Sequence, residues 1–181
     1  MQREVTLRGL STNRSAINQL ALGLAPGTTV HATAGQILPL WQAADLYAQE
    51  KQPVVIVAAE RYGMGSSRDW AAAKGVALLG VRAVIAKSFE RIHRSNLIGM
   101  GILPLQLPKE TILPALKPSS TITVDLSVAS IQPRTGVRIE IATSDQSVLT
   151  VWTVAAIETA AEAATLMAGG FLPKLIADAG S

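Results

Sequence analysis

"PVVIVAAERYGMGSSRDWAAAKGVALLGVRAVIAKS" occupies residues 53–88 and contains two apolar runs, separated by a glycine-rich loop and a helix-like stretch. The runs PVVIVAA (53–59) and VRAVIAKS (81–88) are rich in β-branched residues and are typical of strands buried on both faces. RDWAAAKGVALLG (68–80) lies between them and is predicted to form a helix. Because such crossovers join parallel strands, we predict a βαβ unit over residues 53–88 and an α/β fold.

The segments on either side of this unit extend the predicted fold. A helix is predicted before the unit, and a short basic helix that breaks at Gly99 and Gly101 is predicted after it. Three later runs alternate apolar and polar residues and predict antiparallel strands, followed by an alanine-rich helix and a tail. We therefore expect one domain over residues 1–181, with three layers, a parallel βαβ core and additional antiparallel strands. The segments are 38–51 (helix), 89–108 (basic helix and break), 121–126, 137–144 and 148–154 (strands), 158–170 (helix) and 171–180 (tail).

The composition is that of a chain with one sizeable apolar core. Of the 181 residues, 49% are hydrophobic and 16% are charged, and no apolar run approaches the roughly 18 residues of a membrane span. The N-terminus MQREVTLRG lacks the apolar core of a signal peptide, so a cytoplasmic location is expected. The sequence contains no cysteine, which excludes disulfides, a thiol nucleophile and an iron–sulfur cluster held by thiolates of this chain.

Positive charge is concentrated in one segment. Residues 61–94 hold seven Lys/Arg and two acidic residues, a balance of +5 within a total of +3, so the remaining residues sum to −2. A focused positive region attracts polyanions, including RNA. Aromatic residues make up only 4% of the chain, which disfavours nucleic acid as the partner.

The loop RYGMGSSRDW (61–70) has the residues of an anion-binding site. It lacks the Gly-Lys-Ser/Thr end of a nucleotide P-loop, the third glycine of a dinucleotide fingerprint and the second flanking glycine of a nucleophile elbow. Gly63 and Gly65 permit close backbone approach, and the amides of residues 66–69 are predicted to lie at a helix N-terminus. With the guanidinium fork of Arg68, this arrangement suits a di- or tricarboxylic acid.

Three segments resemble the C-terminal swivel domain of aconitase and its close relatives, including the 2-methylcitrate dehydratase branch. They are RGLSTNR (8–14), YGMGSSRDWAA (62–72) and LLGVRAVIAKSFERIHRSNLIGMGILPLQ (78–106). The resemblance implies one domain of a much longer hydro-lyase that acts on a citrate-like tricarboxylic acid. It also implies a [4Fe–4S] cluster carried by the other domains or by a partner chain, with no metal bound by this chain.

The resemblance assigns roles to four residues. It implies that Ser66 is the catalytic base, that Ser67 and Arg68 bind the substrate, and that Arg14 binds a second carboxylate. Two segments depart from the family pattern. LSTNRS replaces FANIR, which displaces Arg14 in the alignment, and DWAAAKG (69–75) has one alanine more than DWAAKG.

Several alternatives stay open at this point. Ser67 has the simpler interpretation of a helix cap, and His93 that of a structural hydrogen-bonding residue. Arg61, Arg82, Arg91 and Arg94 are interpreted as solvated or interface cations, and Trp41, Trp70 and Trp152 as core or interface anchors. The alternative functions are a stand-alone small subunit of an isopropylmalate isomerase-like dehydratase and an RNA-binding module of a cluster-free relative. Citrate and 2-methylcitrate, the latter a substrate of propionate metabolism, are not distinguished. The isolated domain is expected to be inactive.

Overall fold

A computed structural model describes residues 18–65, 69–126, 131–145 and 147–180 of the chain. A six-stranded sheet has the strand order β3-β4-β5-β8-β7-β6, and β1 and β2 form a separate antiparallel pair. Within the described ranges, no helix has the length and apolar composition that crossing a bilayer requires. The strands are β1 (Thr28–Val30), β2 (Ile37–Pro39), β3 (Val54–Ala58), β4 (Val81–Ala86), β5 (Leu103–Gln106), β6 (Thr121–Asp125), β7 (Gly136–Ala142) and β8 (Val148–Ala155), and the α-helices are α1 (Leu40–Gln49), α2 (Asp69–Leu78), α3 (Arg91–Gly99), α4 (Ala160–Met167) and α5 (Phe171–Ala179).

The predicted βαβ unit is confirmed. Strands β3 and β4 pair in parallel, with Val55 opposite Ala83 and Ile56 opposite Val84, and helix α2 connects them. A third parallel strand, β5, pairs with β4. It was not predicted as a strand, because it has only four residues and contains Pro104, which lacks the backbone N–H of a regular strand residue.

The antiparallel part of the sheet confirms the strands predicted from alternation. Strand β7 pairs with both β6 and β8, and β8 joins this half to β5. Val137, Ile139 and Ile141 are fully buried, whereas Arg138 lies on the opposite, exposed face. The period of two along β7 therefore separates a core face from a solvent face.

Helical residues pack on both faces of the parallel strands, which gives the expected layers. Alternate residues of β3 and β4 belong to two different apolar clusters, as they should in strands covered on both sides. One cluster includes Val55, Val57, Ala83 and Ile85 together with Ala163 and Leu166 of α4, and the other includes Val54, Ile56 and Val84 together with Ala73 of α2 and Leu97 of α3.

The predicted tail over residues 171–180 is wrong, because this segment forms helix α5. Gly169 and Gly170 are typical of a helix end, and the segment after them contains Pro173. Pro173 is the third residue of α5, where a backbone N–H has no partner within the helix in any case. Proline is therefore tolerated there, and the two glycines separate α4 from α5 rather than ending the fold.

The interpretation of Arg94 as a solvated or interface cation is also wrong. Arg94 is only 7% exposed, and its guanidinium donates two hydrogen bonds to the Glu162 carboxylate, at 2.7 and 2.9 Å. A third bond, of 2.7 Å, reaches the carbonyl of Ala156. Hydrogen bonding from Arg94 is the main cause that lowers the pKa of the Glu162 carboxyl. This pair joins α3 to α4 across a sequence separation of 68 residues.

We predict that Arg94→Met lowers the free energy of unfolding by about 3 kcal/mol at neutral pH, because it leaves the Glu162 carboxylate without its cation. Since folding depresses the pKa of Glu162, the pair stabilises the protein above the carboxyl's unfolded pKa of about 4.3. That contribution is lost as the pH falls through the lower folded value. Urea denaturation between about pH 7 and pH 3 measures both effects.

The exposed Arg91 of the same helix provides the control for this substitution. Arg91→Met should change the free energy of unfolding by less than about 0.5 kcal/mol and should leave its pH dependence unchanged. Equal stability losses in the two variants would contradict the assigned role of the buried pair.

Candidate functional site

The glycine-rich loop leaves β3 at the carboxyl edge of the parallel strands and is held there by the segment after β4. The backbone N–H of Tyr62 donates to the carbonyl of Ser88 at 2.9 Å, and the N–H of Glu90 donates to the carbonyl of Tyr62 at 2.9 Å. The N–H of Arg61 donates to the Ser88 hydroxyl at 2.8 Å. These bonds fix the start of the loop at the sheet edge where α/β folds bind ligands.

Gly63 is the position in this loop where only glycine fits. Its φ is +93°, and a Cβ built on it would lie 2.4 Å from the Cβ and Cγ of His93. Gly65 also has a positive φ, of +84°, but a Cβ there would meet nothing within 4 Å. Gly63 is therefore held against His93, and both glycines adopt the conformations that their residue type permits.

Aromatic packing stabilises the underside of the loop. The Tyr62 ring packs edge-on against His93 and Phe89, with ring centroids 5.3 and 6.2 Å apart. Burial raises the pKa of Tyr62 to about 12, so its phenol stays protonated at neutral pH and does not serve as a base. His93 is 3% exposed and lies beneath Gly63, in keeping with its structural interpretation.

The four predicted site residues lie outside the described residues. Ser66, Ser67 and Arg68 occupy the three sequence positions between Gly65 and the first residue of α2, and Arg14 precedes the first described residue. The described part of helix α2 runs from Asp69 to Leu78. The roles of the four residues stay predictions.

Sequence reasoning missed the part played by Ser88. This serine follows the buried run of β4, at the same sheet edge as the loop, and its hydroxyl and carbonyl both accept hydrogen bonds from the loop backbone. A polar residue directly after a buried parallel strand was the available signal. Arg61, Arg82 and Arg91 are exposed, which agrees with their interpretation as solvated or interface cations.

The composition of the chain does not fit a thiolate-held cluster. The sequence has no cysteine, and the described residues contain no group of three or more His, Asp or Glu side chains that could hold a metal ion. Because the sequence has no cysteine, this chain supplies no thiolate to a [4Fe–4S] cluster.

The helix after the loop accommodates the additional alanine of DWAAAKG. Helix α2 is continuous from Asp69 to Leu78, and Ala73 is fully buried in the cluster that contains Val84 and Leu97. The segment therefore remains part of one regular helix that packs on the sheet.

Comparisons with known proteins identify the family of this chain. Similar proteins include aconitate hydratase A of Salmonella typhimurium, which is 41% identical over 174 residues, and that of Escherichia coli, which is 40% identical over 174 residues. Each match covers 96% of this chain. Phosphinomethylmalate isomerase of Streptomyces viridochromogenes is 57% identical over 105 residues, which is 58% of this chain and 12% of that protein. The chain spans only 19% of the length of the two aconitate hydratases.

Among solved structures, 3-isopropylmalate dehydratase from Methanocaldococcus jannaschii aligns over 78% of this chain and 80% of its own, with a TM-score of 0.46 and 23% identity. The sequence profile of the aconitase C-terminal domain matches residues 1–110, which include the whole βαβ unit and its loop. This chain belongs to the aconitase C-terminal domain family.

Proposed function

We propose that this chain is the swivel domain of a [4Fe–4S] hydro-lyase that dehydrates and rehydrates a citrate-like tricarboxylic acid through an aconitate-type intermediate. The observation that carries the proposal is the loop at residues 62–65, fixed at the carboxyl edge of the parallel strands and followed by the start of α2. Membership of the aconitase C-terminal domain family supports the same reaction class. The cluster belongs to the other domains or to a partner chain.

In this proposal Ser66 moves the proton of the substrate carbon, and Arg68 clamps a carboxylate through its planar fork. Ser67 and Arg14 complete the substrate contacts. The N-terminus of α2 favours negative charge, which stabilises both a bound carboxylate and an ionised serine oxygen. The fixed start of the loop supplies the preorganisation that such a site requires.

The substrate class is a hydroxy acid with several acidic groups. Aconitate hydratases match nearly the whole chain, which favours citrate, whereas the isomerase from Streptomyces viridochromogenes has the higher identity over its shorter match. A panel of citrate, 2-methylcitrate and phosphinomethylmalate distinguishes these candidates through their kcat/KM values. RNA binding is disfavoured because Arg94, one of the seven cations in the basic segment, is held in a buried ion pair.

We predict that the purified 181-residue chain catalyses no hydration of cis-aconitate or its methyl homologue. One part of a composite site lacks the groups that activate the added water, so the proton-transferring serine alone gives no turnover. Absorbance assays compare the chain with the complete enzyme. Clear turnover by the chain alone would overturn the swivel-domain proposal.

We predict that Arg68→Lys in the complete enzyme raises KM by about tenfold, and by at least as large a factor as it lowers kcat. Lysine keeps the charge of arginine but lacks its planar fork. Because the carboxylate is bound equally in the ground state and the transition state, both states lose the same contact, and the main effect is a higher KM. Steady-state kinetics test this. The control is Arg82→Lys at an exposed position of β4, and equal KM changes in the two variants would refute the clamp.

A further inference from the structure

Helix α5 carries large apolar side chains on one face that is exposed in this chain. Phe171, Leu172, Leu175 and Ile176 are 50–68% exposed, and α5 contains no buried residue. At 100° per residue these four positions fall within one side of the helix. Such a concentration of exposed apolar side chains on one element is typical of a surface that another protein surface covers.

The N-terminus of α5 is closely packed against the turn that follows α3. A Cβ built on Gly170 would lie 2.6 Å from the carbonyl oxygen of Gly99, and one built on Gly101 would lie 2.5 Å from the carbonyl oxygen of Gly169. The ring of Phe171 lies over Gly99, where an added Cβ would come within 2.7 Å of it. The helix is thus fixed at one end, and its apolar face has a defined direction.

This apolar face continues to the loop of the candidate site through Trp70. The rings of Trp70 and Phe171 have their centroids 6.1 Å apart, and Trp70 is 47% exposed. The interpretation of Trp70 as a core residue is therefore wrong. Its interpretation as an interface anchor stays a prediction. Trp70 is the second residue of α2 and the last residue of the segment RYGMGSSRDW (61–70). We call Trp70, Phe171, Leu172, Leu175 and Ile176 the α5–Trp70 patch.

The two charged side chains of α5 are paired with each other. Lys174 and Asp178 form an i,i+4 ion pair of 2.7 Å along α5. The patch therefore offers apolar area rather than net charge, which favours an apolar protein surface over a polyanion such as RNA. Since the chain makes up 19% of the length of the aconitate hydratases that it matches, most of such an enzyme lies outside it.

We propose that the α5–Trp70 patch is the docking surface for an apolar surface on the remaining part of the enzyme, an inference that rests on the proposed function. Burial of this patch places that remaining part beside Trp70, at the start of the described part of α2. Phe171 and Trp70 are the aromatic residues of the patch, and aromatic side chains dominate interface energetics.

Hydrogen–deuterium exchange tests the docking directly. The complete enzyme, whether one polypeptide or two subunits, is compared with the 181-residue chain. We expect the amides of residues 171–180 to exchange at least about tenfold more slowly in the complete enzyme. The double substitution Leu172→Ser with Ile176→Ser should remove this protection and lower kcat/KM by about tenfold or more. Equal exchange in the complete enzyme and the isolated chain would overturn the proposal.

A matched control is Ile112→Ser, which removes an 88%-exposed apolar side chain outside the patch. It should leave the exchange of α5 and the activity unchanged, and both variants should keep the melting temperature of the chain because the replaced side chains are exposed. Equal loss of protection in the control would also overturn the proposal.

Further outcomes distinguish a second copy of the chain from the remaining part of the enzyme as the occupant of the patch. They also distinguish failure of the docking from failure of the proposed function. Sedimentation of the 181-residue chain should give a monomer, and a dimer that the double substitution dissociates would assign the patch to a second copy and overturn the proposal. If Ser66→Ala abolishes turnover but α5 is unprotected in the complete enzyme, the docking fails and the proposed function stands. If α5 is protected but no citrate-like acid is turned over, the proposed function fails alone.

Discussion

Ser66→Ala in the complete enzyme is expected to lower kcat by about 10²–10⁴-fold while KM stays near the wild-type value. Under the proposed function, Ser66 accepts the proton of the substrate carbon only as the transition state forms. Its removal therefore costs transition-state stabilisation without a matching loss of ground-state binding. The residue occupies the position between Gly65 and Ser67, three positions before Asp69, the first described residue of α2.

Two other serines provide the controls for this experiment. Ser67→Ala should raise KM more than it lowers kcat, because the proposed role of Ser67 is substrate binding. Ser119→Ala, at an exposed position far along the sequence, should change neither constant. Steady-state kinetics with cis-aconitate and a dissociation constant for a substrate analogue measure both quantities. A kcat within about threefold of the wild-type value would eliminate Ser66 as the base.

The parts of the fold that follow from local pattern were predictable. Two β-branched runs around a helix-forming stretch gave the parallel pairing of β3 with β4, and period-two alternation gave β6, β7 and β8. In each case the apolar pattern of a single segment indicates its secondary structure and its buried face. The prediction therefore does not depend on residues that are distant in the sequence. The glycines of the loop were predictable for the same reason, because a positive φ is a property of the local backbone.

The parts that were missed depend on context. Strand β5 and helix α5 both contain a proline, and its effect depends on its place in the element and on the neighbouring strand. The burial of Arg94 depends on Glu162, which lies in a helix that follows four further strands. Ser88 likewise acquires its role only when β3 and β4 are adjacent. Such partners are brought together by the tertiary structure, and local sequence patterns do not show them.

The second large effect is expected for Gly63→Ala, which should lower the free energy of unfolding by about 3 kcal/mol and the activity of the complete enzyme by about 10²-fold. The added Cβ would lie 2.4 Å from the Cβ of His93, an atom that the backbone of α3 fixes in place. A side-chain rotation cannot relieve this steric contact, so the backbone of the loop or of α3 must move. The positive φ of +93° adds a conformational cost of about 1–2 kcal/mol for any residue with a Cβ.

Two glycines separate this steric contact from the conformational cost. Gly65 and Gly35 have φ values of +84° and +64°, and a Cβ at either would meet nothing within 4 Å. Gly65→Ala and Gly35→Ala should therefore show only the conformational part, about 1 kcal/mol each, in chemical denaturation. Because Gly35 lies in the separate β1–β2 hairpin, its substitution should leave kcat/KM unchanged, whereas Gly63→Ala displaces the chain that leads into residues 66–68. If Gly63→Ala costs no more stability than these two controls, the contact with His93 does not position the loop.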